Sequence, residues 1–192
     1  VIGMADPNPH VAGAGGAFLA GRGIAVTTGV LAEECFAINR PFAKHITTGR
    51  PWVIVKAALS LDGKMAAVSG HSNWITGPEA RRQVHRLRDR CDAIMVGAGT
   101  ALYDDPALTV RLPGGHDPLR VVLDSSLRLP VVAKMLTQQS AAGTVIFCVA
   151  PADAIRKSAL VAAGAEVIEV ASCQDGRVSL PEVLDNLGRR GV

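Results

Sequence analysis

The feature that most constrains the fold of this chain is a regular alternation of strand-like and helix-like segments between residues 78 and 189. Apolar, β-branched runs of five or six residues are separated by longer segments with helical periodicity. The predicted strands are 92–96, 119–124, 144–149 and 166–170, and the predicted helices are 78–91, 153–163 and 180–189. Such alternation is typical of parallel strands joined by helices. The sequence therefore predicts an α/β fold with a mostly parallel sheet and helices on both faces.

The residues before this region follow a less regular pattern. We expect short strands at 1–4 and 24–27, an Ala/Gly-rich helix at 11–21 and a helix from Leu31 to Lys44. The hydrophilic connector 47–51 contains glycine and proline, which interrupt regular structure. It predicts a domain boundary that separates a domain at 1–48 from one at 49–192. A strand at 52–59 opens the second domain, and Thr76 with Glu79 forms a capping box for the helix at Pro78.

Composition excludes several classes of function. Hydrophobic residues make up 48% of the chain, enough for a large core, but aromatic residues make up only 4%. A net charge of +3 and few aromatic side chains argue against a nucleic-acid partner. No run of 18 apolar residues predicts a membrane span. Four cysteines are scattered without a CxxC pair, so we expect reduced thiols in the cytoplasm, buried at Cys91 and Cys148, and no zinc site from the cysteines.

Two glycine clusters suggest dinucleotide binding at first sight. The dinucleotide-binding fingerprint is G-x-G-x-x-G. Its third glycine is replaced by Phe18 in the cluster 13–16 and by Leu102 in the cluster Gly97-Ala98-Gly99. The first cluster is therefore interpreted as a helix-packing stretch. The second follows a predicted strand, where glycines allow a ligand to approach the backbone and the Thr100 hydroxyl can donate to it.

Three charged residues stand out from the surface background of this chain. Arg111 ends an apolar, strand-like run, where a guanidinium suits bidentate phosphate binding, although a surface ion pair is the alternative. Asp104 can accept a hydrogen bond from a ligand, whereas Asp105, before a proline, is expected to shape a turn. Lys56 lies within a predicted strand and either faces a pocket or reaches solvent. Most arginines of the helix 78–91 are interpreted as a solvated face. Arg88 is set apart from them only by the family resemblance.

The runs at 56–64, 72–77, 104–111 and 121–125 together resemble the reductase domain of the bifunctional riboflavin-biosynthesis deaminase–reductase family. Residues 6–51 look like the closing third of the deaminase domain in that family. The resemblance implies a dihydrofolate-reductase-like sheet, preceded by a remnant of a cytidine-deaminase-like α/β domain. It also implies an NADPH-dependent reductase that converts the ribosyl group of 5-amino-6-(5-phosphoribosylamino)uracil into a ribityl chain. A preference for NADPH over NADH follows from the resemblance alone.

The resemblance also implies roles for individual residues. The cofactor would be contacted by Ala58, Trp74, Thr100, Asp104 and Ser125. The substrate would be held by Lys56, Ser72, Arg88, Leu108 and Arg111, with the two arginines on its phosphate. Lys56 would reach the pyrimidine or ribose end. No residue is assigned as the proton donor, so the catalytic acid is unknown.

Two departures from the family pattern leave an alternative open. The zinc signature H-x-E…P-C-x-x-C does not occur in this sequence, so we expect no metal here and zinc only upstream in the deaminase domain. A Glu-Gly-Gly-type motif that binds cofactor phosphates does not occur either. Because the chain starts at Val1 without methionine and ends at Val192, we expect a piece of a longer, bifunctional protein. The alternative is a non-catalytic module that keeps the phosphate pocket, and the resemblance allows a homo-oligomer.

Overall fold

The structure, a computed structural model, describes residues 1–70, 72 and 75–192. The chain forms two compact units. The first comprises Val1–Ile54 together with Leu184–Val192, and the second comprises Val55–Val183. The domain boundary that the connector 47–51 predicts between residues 48 and 49 stays a prediction.

The first unit contains three short helices, α1 at Ala14–Ala20, α2 at Ala32–Ile38 and α3 at Arg40–Thr48. The single helix predicted over 31–44 is therefore wrong. The chain breaks at Asn39, and Pro41, which cannot donate a backbone hydrogen bond, stands in the first turn of α3. The strands predicted at 1–4 and 24–27 are reduced to one parallel bridge between Ile2 and Thr28.

The second unit is built on a sheet of four parallel strands in sequential order. The strands are β1 at Ala93–Gly97, β2 at Leu119–Leu123, β3 at Thr144–Val149 and β4 at Ala165–Val170. The helices are α4 at Pro78–Asp89, α5 at Ala98–Asp104, α6 at Lys134–Thr137 and α7 at Ala154–Ala162, while α8 at Leu180–Arg189 starts in this unit. The predicted parallel α/β architecture is confirmed.

The core lies on the two central strands. Val121 and Val122 of β2 and Ile146 and Phe147 of β3 have no accessible surface. Strands that are buried in this way on both faces have near-continuous apolar sequences, which explains why these runs were recognisable. Cys148 is buried as expected, whereas Cys91, also expected to be buried, is only half-buried.

Two local predictions fail and one helix was not predicted, each for an identifiable reason. Residues 52–59 form no regular strand, because no strand of the described chain pairs with them and Val55 remains 88% exposed. The N-cap residue of α4 is Gly77, which has no side chain to accept a hydrogen bond from the first turn. The capping box predicted at Thr76 therefore does not form. The helix α5 was not predicted, because its first residues are small. It is stabilised instead by burial of Ala98 and Ala101.

Candidate functional site

The carboxyl ends of β1 and β2 place two predicted cofactor residues at the same edge of the sheet. The last residues of these strands, Gly97 and Leu123, are register partners. Thr100 follows in the first turn of α5 and is exposed, and Ser125 follows β2, where its Oγ accepts a hydrogen bond from the backbone of Val178 at 3.2 Å. Ligands of parallel α/β sheets bind at such strand ends.

A cavity of about 540 Å³ lies in the same unit. This volume is within the range of small-molecule sites. The described residues that line it are Ala58, Met65, Ser72, Ile75, Tyr103 and Asp104. Three of them were predicted from sequence, Ala58 and Asp104 for the cofactor and Ser72 for the substrate. Tyr103 was missed, although its hydroxyl donates a hydrogen bond to the carbonyl of Gly70 at 3.1 Å and so joins two segments of the wall.

A second group of predicted residues gathers between α4 and the segment after α5. The Arg88 guanidinium donates from Nη1 to the carbonyl of Thr109 at 3.0 Å. The backbone N–H of Arg111 donates to Nδ1 of His85 at 3.3 Å. Leu108, just before Thr109, is buried. Three predicted substrate residues are therefore neighbours, and His85, which the sequence analysis did not name as a site residue, is a fourth member of the group.

The electrostatics of this group favour a bound anion. Burial lowers the pKa of Arg88, and the positive charge of Arg111 lowers it further. The Nε of Arg88 is buried and has no hydrogen-bond partner among the described residues. Within the described ranges, no carboxylate forms an ion pair with Arg88 or Arg111. Two guanidinium groups that influence each other, without an acidic partner in the described chain and with one unused donor, suit a phosphate or carboxylate ligand.

An unusual backbone conformation holds the segment that carries this group. Asp105 ends α5 with φ of 39°, and Leu108 has φ of 55°, a left-handed conformation that residues other than glycine seldom adopt. External contacts maintain it, since Asp105 Oδ1 accepts from the backbone of Lys134 at 2.9 Å and the carbonyl of Ala107 accepts from Gln138 at 2.7 Å. Such conformations persist where surrounding structure imposes them, and they cluster at ligand sites.

The other end of the same segment is fixed by Asp117. Its Oδ1 accepts from the backbone N–H of Val110 at 2.7 Å, and its Oδ2 accepts from the hydroxyl of Ser140 at 2.7 Å. The buried Arg120 donates to the same hydroxyl at 3.0 Å and to Thr144 Oγ1 at 3.0 Å. Because Val110 precedes Arg111, this network determines where the backbone of Arg111 lies.

The Asp117 carboxylate is expected to contribute stability that depends on pH. Burial alone would raise the pKa of Asp117, but the hydrogen bonds from Ser140 and Val110 and the nearby Arg120 outweigh it and lower that pKa. A lowered folded-state pKa stabilises the protein above the unfolded-state pKa, and this contribution disappears as pH falls through the folded-state value. Asp117→Asn should therefore be about 1 kcal/mol less stable at neutral pH, because neutral hydrogen bonds are weaker than charge-assisted ones.

Urea unfolding from pH 7 down to pH 2 measures this difference. The gap between wild type and Asp117→Asn should close as the pH falls through the lowered folded-state pKa of Asp117. A gap that stays constant down to the lowest pH would show that the Asp117 charge does not stabilise the segment.

Comparison with known proteins identifies the family. Residues 51–192 match the RibD C-terminal domain family. The chain belongs to this family. The match contains the whole four-stranded sheet and both groups of predicted ligand residues, whereas the first fifty residues lie outside it.

Two relatives match the whole chain, including the first fifty residues, which the family match does not contain. The riboflavin biosynthesis protein RibD of Bacillus amyloliquefaciens is 43% identical over 192 residues, which cover 100% of this chain and 51% of that protein. The RibD protein of Actinobacillus pleuropneumoniae is 41% identical over 191 residues, covering 100% of this chain and 50% of the relative. This chain therefore spans about half the length of these RibD relatives.

A solved structure supports the fold assignment. It is the deaminase/5-amino-6-(5-phosphoribosylamino)uracil reductase of Thermotoga maritima, which superimposes with a TM-score of 0.81 at 35% identity. The alignment covers 100% of this chain and 51% of that chain. The predicted dihydrofolate-reductase-like fold of the RibD reductase domain is thus confirmed.

The predicted site residues that the structure describes do not all line one cavity. It brings Ala58, Ser72 and Asp104 around one cavity, and it brings the Arg88, Leu108 and Arg111 group together elsewhere in the same unit. Thr100, Ser125 and Arg111 are not among the described residues that line the cavity, and Lys56 is exposed. Trp74 lies outside the described residues. The assignment of these residues to cofactor or substrate stays a prediction.

The described residues were expected to hold neither a metal ion nor a membrane span. Among residues 1–70, 72 and 75–192, no group of three or more His, Cys, Asp or Glu side chains could hold a metal ion. In the same described part of the chain, no helix has the length and apolar character needed to span a bilayer.

Proposed function

We propose that this chain carries the reductase site of a cytoplasmic riboflavin-biosynthesis enzyme, which uses NADPH to reduce 5-amino-6-(5-phosphoribosylamino)uracil to its ribitylamino product. The observation that carries the proposal is the pair of guanidinium groups, Arg88 and Arg111, without a carboxylate partner in the described chain. Membership of the RibD C-terminal domain family and similarity to the Thermotoga maritima protein, which is named as a reductase, support it. They favour an enzyme over a non-catalytic binding module.

The substrate phosphate is the anion that the arginine pair would bind. Arg111 is exposed at the surface, so its guanidinium can swing onto an entering phosphate. Arg88 is held from one side by Thr109, which leaves its Nε free to donate. Leu108, Ser72 and Lys56 complete the proposed set of substrate residues. Fixing the substrate by its phosphate places the ribosyl carbon in a defined position, which is the main contribution of the protein to such a reaction.

The residues at the strand ends and in the cavity fit a nicotinamide cofactor. NADPH, when bound, supplies the hydride that reduces the ribosyl group. Gly97 and Gly99 have open space where a side chain would stand, so a ligand can approach this backbone. Thr100 and Ser125 offer hydroxyl groups at adjacent strand ends, while Ala58 and Asp104 line the cavity wall. Trp74 belongs to the same proposed set.

The proposal for the complete protein includes a second activity. Residues 1–48 would belong to a deaminase domain that acts on the diaminopyrimidine precursor with zinc. The Thermotoga protein is named as both deaminase and reductase, which supports this assignment. The zinc signature of that domain would lie outside the sequence described here, and a homo-oligomer is compatible with the proposal.

The reductase activity can be tested by following NADPH oxidation with 5-amino-6-(5-phosphoribosylamino)uracil on the natural gene product. We expect turnover with NADPH and a clear preference for it over NADH. The same substrate without its phosphate should react with a much higher KM, because the arginine pair then has no anion to bind. Binding of ribose 5-phosphate without any NADPH oxidation would contradict the proposal and favour a non-catalytic phosphate-binding module.

A further inference from the structure

His85 takes part in the arginine group, yet the proposed reaction gives it no role. It lies on α4, one turn before Arg88, and its ring is half-buried. Its Nδ1 is 3.3 Å from the backbone nitrogen of Arg111 and accepts the hydrogen bond from that N–H. The imidazole therefore links the helix that carries one guanidinium to the backbone of the residue that carries the other.

This link exists in only one protonation state of the histidine. A backbone N–H is always a donor, so Nδ1 must carry a lone pair to accept from it. In the imidazolium form both ring nitrogens carry protons, and Nδ1–H would face the N–H of Arg111. Protonation of His85 therefore replaces an attractive contact with a repulsive one.

The groups that face the ring favour the neutral form. Burial lowers the pKa of His85, and the positive charges of Arg88 on α4 and of Arg111 on the facing segment lower it further. The backbone carbonyl of Thr109 acts in the opposite direction but is outweighed. The ring is accordingly neutral at neutral pH, and the link to Arg111 is intact there.

We propose that His85 is a positioning residue for the phosphate of the substrate: neutral His85 holds the Arg111 backbone so that both guanidiniums face one anion. This inference rests on the proposed function and deepens it. A guanidinium fixed at its backbone loses less conformational freedom when it binds phosphate in a bidentate way. Protonated His85 adds a positive charge, but it releases Arg111, and the loss of a positioned bidentate partner outweighs that added charge.

Two substitutions separate the acceptor from the rest of the ring. In His85→Asn the side-chain carbonyl oxygen takes the place of Nδ1 and does not titrate, whereas His85→Leu keeps bulk without an acceptor. Calorimetric titration of the full chain with ribose 5-phosphate at pH 7.5 should give similar affinity for wild type and His85→Asn. The affinity of His85→Leu should be about 5- to 10-fold lower, because this variant loses the free energy of one hydrogen bond.

The pH dependence gives a readout that a structural role alone would not change. The phosphate of the ligand also titrates, but this affects all variants equally, so the informative quantity is the ratio of wild-type to His85→Asn affinity. The ratio should fall below one as pH decreases through the lowered pKa of His85. A ratio that stays constant, or one that rises because imidazolium contacts the phosphate directly, would overturn the proposal. Equal loss of affinity in His85→Asn and His85→Leu would also overturn it.

A measurement on the wild-type protein without ligand tests the proposal even if the His85 variants do not fold. In wild-type protein, the amide resonance of Arg111 should titrate with the same pKa as the His85 ring, because the hydrogen bond breaks on protonation. An Arg111 amide that does not respond would overturn the proposal even if no variant folds. Arg88→Ala tells the two hypotheses apart, since unchanged ribose 5-phosphate binding in that variant contradicts the proposed phosphate site itself, rather than the role of His85.

Discussion

Replacing Arg88 or Arg111 by alanine is expected to weaken binding of the phosphorylated substrate by about 2–3 kcal/mol in each case, roughly 30- to 150-fold. Each substitution removes charge-assisted hydrogen bonds to the phosphate. Arg88 is half-buried and has an unused Nε donor, so its loss should cost at least as much as the loss of the exposed Arg111. The measurement is calorimetric titration with ribose 5-phosphate, together with KM for the complete substrate.

Arg86→Ala provides the matched control for this prediction. Arg86 is exposed on the same helix and takes no part in the arginine group, so its removal changes the net charge equally without touching the site. Its affinity for ribose 5-phosphate should stay close to that of wild type, and binding of unphosphorylated ribose should be insensitive to all three substitutions. If Arg86→Ala loses as much affinity as Arg88→Ala, the effect is a general one of net charge and not of a phosphate site.

Phe147→Ala is expected to lower the free energy of unfolding by about 3–5 kcal/mol. The side chain has no accessible surface, and it lies on β3, between β2 and β4. Its truncation leaves a cavity in the sheet core that neighbouring strands can fill only in part. The Phe147 carbonyl also accepts from the backbone of Asp124 at 2.9 Å, which ties this position to the end of β2 that precedes Ser125.

Urea unfolding at constant pH measures this loss, with two variants for comparison. Phe147→Leu conserves most of the volume and should cost much less, about 1 kcal/mol. Val161→Ala removes an aliphatic side chain that is 51% exposed on α7, and it should change stability by no more than about 0.5 kcal/mol. A Phe147→Ala variant as stable as Val161→Ala would contradict the position of β3 in the centre of the core.

The strands of the sheet could be predicted to within one or two residues because their signal is local. β2 and β3 are mostly apolar, interrupted only by Arg120 and begun by Thr144, and burial between helices is what such runs indicate. The strand at 52–59 has an equally apolar sequence, but a strand also requires a partner for its backbone groups, and propensity does not reveal one. The helix α5 was missed because its local helix propensity is weak. Burial of Ala98 and Ala101, which the sequence does not reveal, compensates for that weakness.

The site was predictable in its residue types and less so in its geometry. Arg88 and Arg111 were named from the resemblance, and only the structure shows that Arg88 donates to the carbonyl of Thr109, two residues before Arg111. His85 could have been found from its spacing, since residues three apart lie on one helix face and Arg88 follows it by three. The link between His85 and Arg111 could not have been found in this way, because it joins positions 26 residues apart through the left-handed turn at Leu108.

The central claim is that Arg88 and Arg111 together bind the phosphate of a phosphoribosyl substrate. A crystal structure of the protein with bound ribose 5-phosphate tests it most directly. The account predicts phosphate oxygens within hydrogen-bond distance of both guanidiniums, with the Nε of Arg88 as one of the donors. A ribose 5-phosphate molecule bound elsewhere, with the two arginines turned to other partners, would contradict it.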